Sequence, residues 1–579
     1  MQQRRRRIGS GLLVSGLCVA SLATTSSAHA APLGELAHAL VEHARNFCGF
    51  YVAGADAKLF NDATVVVLMR DGTRTVIAMQ NSYQGPPEQF ALVVPVPVVL
   101  QADDVTTLRP ELFERVDKLA APRLVEYWEQ DPCAPDNLGG FGMVGTGRGG
   151  GGSGEGSIGM GFGGKVKVEA QFEVEEYEIV ILSATESTAL DAWLRENDYA
   201  IPAGAEPLLR PYVQQDMKFF VAKVDPKKVK FDAQGRAMLA PLRFHYESKE
   251  FSLPVRLGLI NAPDPSSGGK QDLLVHILAP GTRYQVANYP NVTIPTNLDL
   301  VDKAKDEFGQ FYVSLFDHTI STKPGAVVTE YAWAAGTCDP CPNDPLTSKE
   351  LLELGASALP NWSQQLKNEG GIGGWGSVAE EFVLTRLHAR YDQSSLGEDL
   401  VFEAAEPLVG GREWPKDETN QPEQGARVAP GQSNNFQARY AIRHPWTGEI
   451  ACKDPVRKRW GGPPPDKDSG FGGGRPSVAT QLASTSRGAA LGSFVTAESA
   501  SQLGVVMLAD VPAAATPSTP AVGVQPPPAS TPAPAPSASA PATPSAGSCT
   551  CTSDASGSSP WSVLGLALLG LLRPRRRSA

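Results

Sequence analysis

Signatures of catalysis are what this 579-residue chain lacks. No histidine stands in H-E-x-x-H, which excludes the zincin arrangement of two imidazoles on one helix face. No G-x-S-x-G occurs, which excludes the serine nucleophile elbow of the α/β-hydrolases. No second C-x-x-C accompanies Cys338-Asp-Pro-Cys341, so a four-cysteine zinc site is not expected. Positive charge is also short. Lys and Arg number 51 against 62 Asp and Glu, for a net charge of −11. Taking away the four positive charges of Arg4–Arg7 and the four of Arg573, Arg575, Arg576 and Arg577 leaves −19 for the region between. Such a surface repels nucleic acid, so no nucleic-acid partner is expected. Gly145-Thr-Gly147-Arg-Gly149-Gly150 and Gly159-Met-Gly161-Phe-Gly163-Gly164 match G-x-G-x-x-G formally, but neither opens a helix after a strand. No nucleotide, metal or other cofactor is expected.

Glycine (58) and proline (48) are abundant and clustered, which marks linkers rather than strands. At the start, Arg4–Arg7 form a positive region and Ile8 to Ala23 an apolar stretch, and Ala28-His29-Ala30 is an A-x-A site. Residues 1–30 therefore read as a signal peptide cleaved after Ala30. Leu17 directly before Cys18 breaks the lipoprotein pattern. Residues 31–137 read as the N-terminal part of an ectodomain, and residues 138–164 as a Gly-rich flexible insertion. Residues 165–510 form the main ectodomain with a loop-rich end. Residues 511–548 are a disordered Pro/Ala/Ser-rich spacer, and residues 549–579 a tail.

Hydrophobic spacing predicts an α+β fold, mostly antiparallel sheet with several amphipathic helices. Thr64–Arg70 and Thr73–Met79 flank Asp71-Gly72, a hairpin signal because glycine supplies the positive φ a tight turn needs. Ala91–Leu100 reads as an edge strand interrupted by Pro95 and Pro97. A helix is expected from Pro110, with Leu112, Val116 and Leu119 on one face, and another over Leu298–Phe316. Val166, Val168, Ala170, Phe172 and Val174 alternate with polar residues, as a half-buried strand does.

The end of the chain carries Cys549-Thr-Cys551, a polar spacer, the uncharged run Trp561–Leu572 and an arginine cluster. Twelve residues make about 18 Å of helix, short of a ~30 Å hydrocarbon core. This tail resembles the myxobacterial C-terminal sorting domain (MYXO-CTERM). The resemblance implies retention at the cell surface or outer membrane, with processing at Cys549 or Cys551. The body carries Phe47-Cys48-Gly49-Phe50-Tyr51-Val52-Ala53-Gly54-Ala55-Asp56, Leu68-Met69-Arg70-Asp71-Gly72-Thr73-Arg74-Thr75 and Trp128-Glu129-Gln130-Asp131-Pro132-Cys133. It also carries Cys338-Asp339-Pro340-Cys341-Pro342 and Arg443-His444-Pro445-Trp446-Thr447-Gly448. These stretches resemble exported bacterial proteins grouped as domain of unknown function 2330. The resemblance brings no activity and no site residues with it.

Between signal and tail lie Cys48, Cys133, Cys338, Cys341 and Cys452. An exported chain can keep disulfides, and an odd count leaves one thiol over. A link from Cys452 to the Cys338/Cys341 region would pin the loop-rich end to the body. A direct Cys338–Cys341 bond would instead favour thiol–disulfide exchange, superficially similar to a thioredoxin site, although Pro342 and Pro345 leave no helix close enough to activate a thiol. His388 and Arg390 share one side if their segment is extended, and His245 neighbours Arg243 in the same way; each could act as a base near an anion, or pack with a polar tip. His276 inside a Val/Leu run reads as a core histidine. His444 and Trp446 could form a ligand-facing corner or one that ties the last segment to Cys452. The reading is an exported, envelope-anchored ectodomain. It is expected to act without catalysis, holding to the membrane through its tail and meeting a cell-surface protein or glycan. A thiol–disulfide redox protein and a hydrolase with an unrecognised site are the alternatives.

Overall fold

Valine, isoleucine and leucine fill the central strands of this protein, and among the described residues more lie in strands than in helices. The computed structural model describes residues 50–52, 64–80, 91–134, 165–197, 199, 204–231, 237–261, 270–368, 377–392, 394–395, 397–412, 425–463, 476–480 and 485–507. The expected signal peptide, Gly-rich insertion, spacer and tail lie outside these residues, as do Cys48, Cys549 and Cys551.

The principal sheet has eleven strands. Six of them carry the argument: β1 (Thr64–Asp71), β2 (Arg74–Met79), β3 (Leu242–Glu247), β4 (Gln271–Pro280), β5 (Val327–Ala334) and β6 (Phe382–Tyr391). They lie side by side in the order β5–β6–β4–β1–β2–β3. Strands from before and after the Gly-rich segment therefore share one sheet. The β1–β2 hairpin turns through Gly72 and Thr73, with Asp71 still paired to Arg74 and Gly72 at φ +58°. A second sheet contains Ala91–Val96, Lys218–Val224, Tyr177–Ala184 and Val166–Val174. A third joins Leu298–Leu300, Arg439–His444, Arg123–Glu129 and Trp460–Gly461.

The fold is α+β, with seven α-helices among the described residues. Its sheets are mixed rather than mostly antiparallel. β4 runs parallel to β1, Arg439–His444 runs parallel to both Arg123–Glu129 and Leu298–Leu300, and Asn291–Thr293 runs parallel to β5. A turn signal such as Gly72 reports only the next strand in sequence, whereas most of these parallel partners come from far along the chain. Two local expectations also change. Ala91–Val96 has neighbours on both sides over Ala91–Val93, and Pro95 sits where one neighbour remains. The helix expected over Leu298–Phe316 begins only at Phe308; before it come a short strand and a 3-10 turn at Asp302–Lys305.

The two faces of the principal sheet differ. Leu273, Val275 and Ile277 of β4, with Leu387, Ala389 and Tyr391 of β6, point into an apolar layer shared with Leu92, Val94, Ile179 and Phe220 of the second sheet. Two helices cover the opposite face. Helix α1 (Pro110–Ala120) packs Leu112, Phe113, Val116 and Leu119 against Val67, Met69, Leu278 and Leu384. Helix α2 (Phe308–Thr322) packs Phe311, Tyr312 and Leu315 against Val328, Ala332, Phe436 and Tyr440. The even-numbered residues of β4 and β6 face this helical layer, and there the core is charged.

Candidate functional site

Side chains alternate along a strand, so Arg386, His388 and Arg390 of β6 fall on one side. Antiparallel pairing sets His276 of β4 opposite Arg386 and Asp272 opposite Arg390. On the other flank, β5 pairs Val328 with His388 and Tyr331 with Arg386, and its register shifts between Thr329 and Tyr331. Glu330 is the extra residue of that bulge. A bulge re-aims a side chain, and Glu330 reaches Arg386 and His388 of the neighbouring strand.

These side chains form a chain of opposite charges through the interior. Glu330 Oε2 lies 2.7 Å from Arg386 Nε, and both side chains are fully buried. Arg386 Nη1 lies 2.8 Å from Asp117 Oδ1 on α1. Glu330 Oε1 lies 2.7 Å from His388 Nδ1 and also accepts from the Tyr312 hydroxyl. His388 Nε2 lies 3.1 Å from Asp272 Oδ1, and its ring stacks on Phe316 with centroids 3.8 Å apart. Asp272 Oδ2 accepts from Arg487 Nη2 at 2.6 Å, and Asp317 accepts from both Arg390 and Arg487. The chain is most exposed at Asp317 and Arg487, and its other end, Asp117, is also partly exposed.

A carboxylate only accepts, so an imidazole between two carboxylates must donate from both nitrogens, which requires the imidazolium. The charge count agrees. Three guanidiniums (Arg386, Arg390 and Arg487) face four carboxylates (Asp117, Asp272, Asp317 and Glu330), and a protonated His388 closes the difference. Burial works against the charge on His388, yet Glu330 and Asp272 overcome it and hold its pKa above the usual value. Burial also opposes charge on Glu330, but His388 and Arg386 prevail and hold it below the usual glutamate range. Asp117 and Asp317 go the other way: burial raises both, and Arg386 and Arg390 respectively recover part of the cost. His276, fully buried, is held well below the usual range by burial and by Arg386, so it stays neutral as a core histidine.

A different arrangement surrounds the other sequence candidates. Cys133 and Cys452 are at disulfide distance, and so are Cys338 and Cys341. The expected link from Cys452 to the Cys338/Cys341 region is therefore replaced by one to Cys133, because Arg439–His444 runs beside Arg123–Glu129 and delivers both cysteines past the same sheet end. Glu129 organises that end: Arg457 bonds both its oxygens at 2.8 Å, and the Trp446 and Lys458 amides donate to it. These bonds, Arg457 foremost, outweigh burial and hold Glu129 down to about 2. His444 Nε2 lies 2.9 Å from Glu126 Oε2, and its ring stacks on Trp128. The Cys338–Cys341 loop offers its Pro340 carbonyl to the buried Arg123 and its Asp339 carbonyl to Gln437, and the next helix begins only at Ser348. His245 sits 3.4 Å from Asp104, away from the charge chain.

The structure thus unites His388 and Arg390, and it places His444 at the end of a strand of another sheet and Trp446 in the loop after it. Sequence reasoning missed Glu330, Arg386, Asp272, Asp117, Tyr312, Asp317 and Arg487. A usable signal existed for three of them, Glu330, Arg386 and Asp272: a charged residue inside an otherwise apolar strand, as in V-V-T-E-Y-A-W, F-V-L-T-R-L-H and Q-D-L-L-V-H-I. A charge that must be buried on a central strand implies a partner.

Residues 42–403 match the family described as "Uncharacterized protein conserved in bacteria (DUF2330)", and the chain belongs to that family. Asp117, Asp272, Asp317, Glu330, Arg386, His388 and Arg390 lie within the match; Cys452 and Arg487 lie beyond it. No curated protein matches the chain by sequence. Among solved structures, a mutated baculovirus P35 after caspase cleavage aligns at 12% identity over 38% of this chain, with a TM-score of 0.21. The alignment spans 66% of that viral chain, just under two thirds of it. A second crystal structure of a mutated, caspase-cleaved baculovirus P35 aligns at 9% identity over 59% of this chain and 97% of that one, with a TM-score of 0.23. Similarity at that level transfers neither fold nor function.

Proposed function

We propose that this protein is an exported envelope domain, retained at the cell surface through its C-terminal tail, that works by binding or structural support rather than by catalysis. The observation that carries the reading is the Cys133–Cys452 pair, which ties positions 319 residues apart. A bond of that span persists in an oxidising compartment and not in a reducing cytoplasm. It agrees with the signal-like residues 1–30. The charge chain supports the non-catalytic part. Its His388 is joined to carboxylates as a hydrolase base would be, but the imidazole is only 1% exposed and both its nitrogens are occupied. A general base needs a reachable substrate proton.

The experiment is fractionation of cells expressing the full chain and a form ending at residue 548. The full chain is expected in the envelope fraction, cleaved after Ala30 and with Cys133 joined to Cys452 in non-reducing peptide maps. The shortened form is expected in the medium. A full chain found in the cytoplasm with free thiols overturns the reading.

The thiol–disulfide alternative has one favourable observation, the direct Cys338–Cys341 pairing. Against it, the next helix in sequence begins only at Ser348, seven residues past Cys341, and the loop backbone is pinned by Arg123 and Gln437. Titration with a mild reductant decides the matter: a bond that cycles while the fold persists favours exchange.

A further inference from the structure

Six large apolar side chains are exposed among the described residues, and two of them, Phe231 (52%) and Met238 (55%), share one short hairpin. Its strands, Lys230–Phe231 and Ala237–Met238, pair with each other and with no other described strand. The hairpin follows Lys218–Val224 of the second sheet and precedes β3 of the principal one. Its base is held firmly. Val229 packs on the apolar layer between the two sheets, and Leu239 is buried in it. Ala240 gives its amide to Glu176 at 2.6 Å, and its carbonyl accepts from the Tyr177 hydroxyl at 2.7 Å. The register sets Lys230 opposite Met238 and Phe231 opposite Ala237. Opposed residues share a side of a ribbon and successive ones alternate, so Phe231 and Met238 leave from opposite sides. Neither side of the tip is covered by described residues. Lys227, Lys228 and Lys230 are exposed there too. Lys228 takes up the nearby carboxylates, Glu173 at 2.6 Å and Asp225 at 3.9 Å. Among the described residues no carboxylate pairs with Lys227 or Lys230.

We propose that this hairpin is a membrane-contact element, setting Phe231 and Met238 into the headgroup layer of an anionic lipid surface with Lys227 and Lys230 against its phosphates. A folded protein partner fits the tip less well. A stable protein interface covers a continuous patch of about 800 Å² on each partner. It would bury one side of this ribbon and leave the apolar side chain of the other in water. A lipid interface closes around an inserted tip and takes both. Phenylalanine and methionine gain there by leaving water. A lysine next to them lays its stem along apolar groups while its ammonium stays at the phosphates. The net charge of −11 does not forbid the contact, because charges more than about 8 Å from the tip are largely screened at physiological salt. Two apolar groups and two lysines hold weakly alone, and such a contact becomes lasting beside a second anchor. The inference rests on the envelope reading for the presence of a membrane, not for the contact itself. Cell fractionation reads location and vesicle binding reads contact, so the two fail separately.

The test is hydrogen exchange of the full chain with vesicles of phosphatidylglycerol and phosphatidylcholine in equal parts, and with phosphatidylcholine alone. Residues 227–238 are expected to exchange severalfold more slowly with the anionic vesicles. That protection should vanish at high salt and in the double variant Phe231→Ser, Met238→Ser, which keeps its fold because both side chains are exposed. Vesicle binding that leaves residues 227–238 unprotected assigns the contact to the tail or another surface and overturns the proposal. Equal protection in the double variant overturns it too, as does the absence of any binding. Slowed exchange that needs no vesicle and grows with protein concentration would mark a contact between two copies, and it also overturns the proposal.

Discussion

His388 stands between Glu330 and Asp272, with Nδ1 2.7 Å from one carboxylate and Nε2 3.1 Å from the other. All three side chains are buried in the middle of the principal sheet. Removing one partner leaves a buried charge uncompensated, which typically costs about 3–5 kcal/mol. His388→Gln and Glu330→Gln are each expected to destabilise the chain by about that much in urea unfolding. The double variant is expected to lose much less than the sum, because the second change removes a charge that the first had stranded. Single-variant losses that simply add in the double variant would show that the pair is not coupled.

The same pair sets a pH window. Glu330 is held below its ordinary value of 4.5, so its contribution is present above that value and is lost as pH falls through the lower folded one. His388 is held above its ordinary 6.5, so its contribution is complete below 6.5 and is lost as pH rises through the higher folded value. Asp117 and Asp317, raised by burial, act with the opposite sign and soften the acid limb. Unfolding midpoints should therefore be highest between these limits and decline on the alkaline side. His388→Gln is expected to flatten the alkaline decline. An unchanged decline would assign it to another group.

How much of this was legible in the sequence depends on the range of the interaction. The β1–β2 hairpin and helix α1 were readable because Gly72 and Pro110 act on neighbouring residues. The shared side of His388 and Arg390 was readable from strand alternation alone. The bulge at Glu330 was not, because an extra residue in β5 has meaning only against β6, which arrives some fifty residues later. Nor was the Cys133–Cys452 pairing readable, since it follows from the parallel ladder of Arg439–His444 on Arg123–Glu129. Parallel neighbours carry no turn between them to announce the pairing.

Cys133–Cys452 and Cys338–Cys341 make a contrast that stability measurements can read. Cross-linking across 319 residues restricts the unfolded chain strongly, with an upper bound of about 6 kcal/mol in the chain-entropy description. Closing a three-residue separation restricts it little. Cys452→Ser is therefore expected to lower the unfolding midpoint markedly, and the double change Cys338→Ser, Cys341→Ser much less. The reverse order would mean that the small loop, through Arg123 and Gln437, matters more to the core than the long cross-link does.

Glu129 gives the most local test of how the last loop is held. Lys453, Arg457 and Lys458 are exposed, so trypsin meets three basic residues there, yet the backbone around them is fixed at three points. Arg457 grips both Glu129 oxygens, the Trp446 and Lys458 amides donate to the same carboxylate, and Cys452 is joined to Cys133. Cleavage needs an extended, locally unfolded segment, so the folded loop should resist. Glu129→Gln replaces one charged acceptor by a donor and cannot satisfy Arg457 at both oxygens. Tryptic cleavage within residues 453–459 is expected to speed up severalfold in that variant, and further when Cys133–Cys452 is reduced. Because Glu129 is held down to about 2, the parent loop should keep its grip through mildly acidic conditions. An acid-stable protease such as pepsin at pH near 3 should then still distinguish parent from variant. Equal cleavage rates at both pH values would show that the cross-link alone holds the loop and that the carboxylate does not.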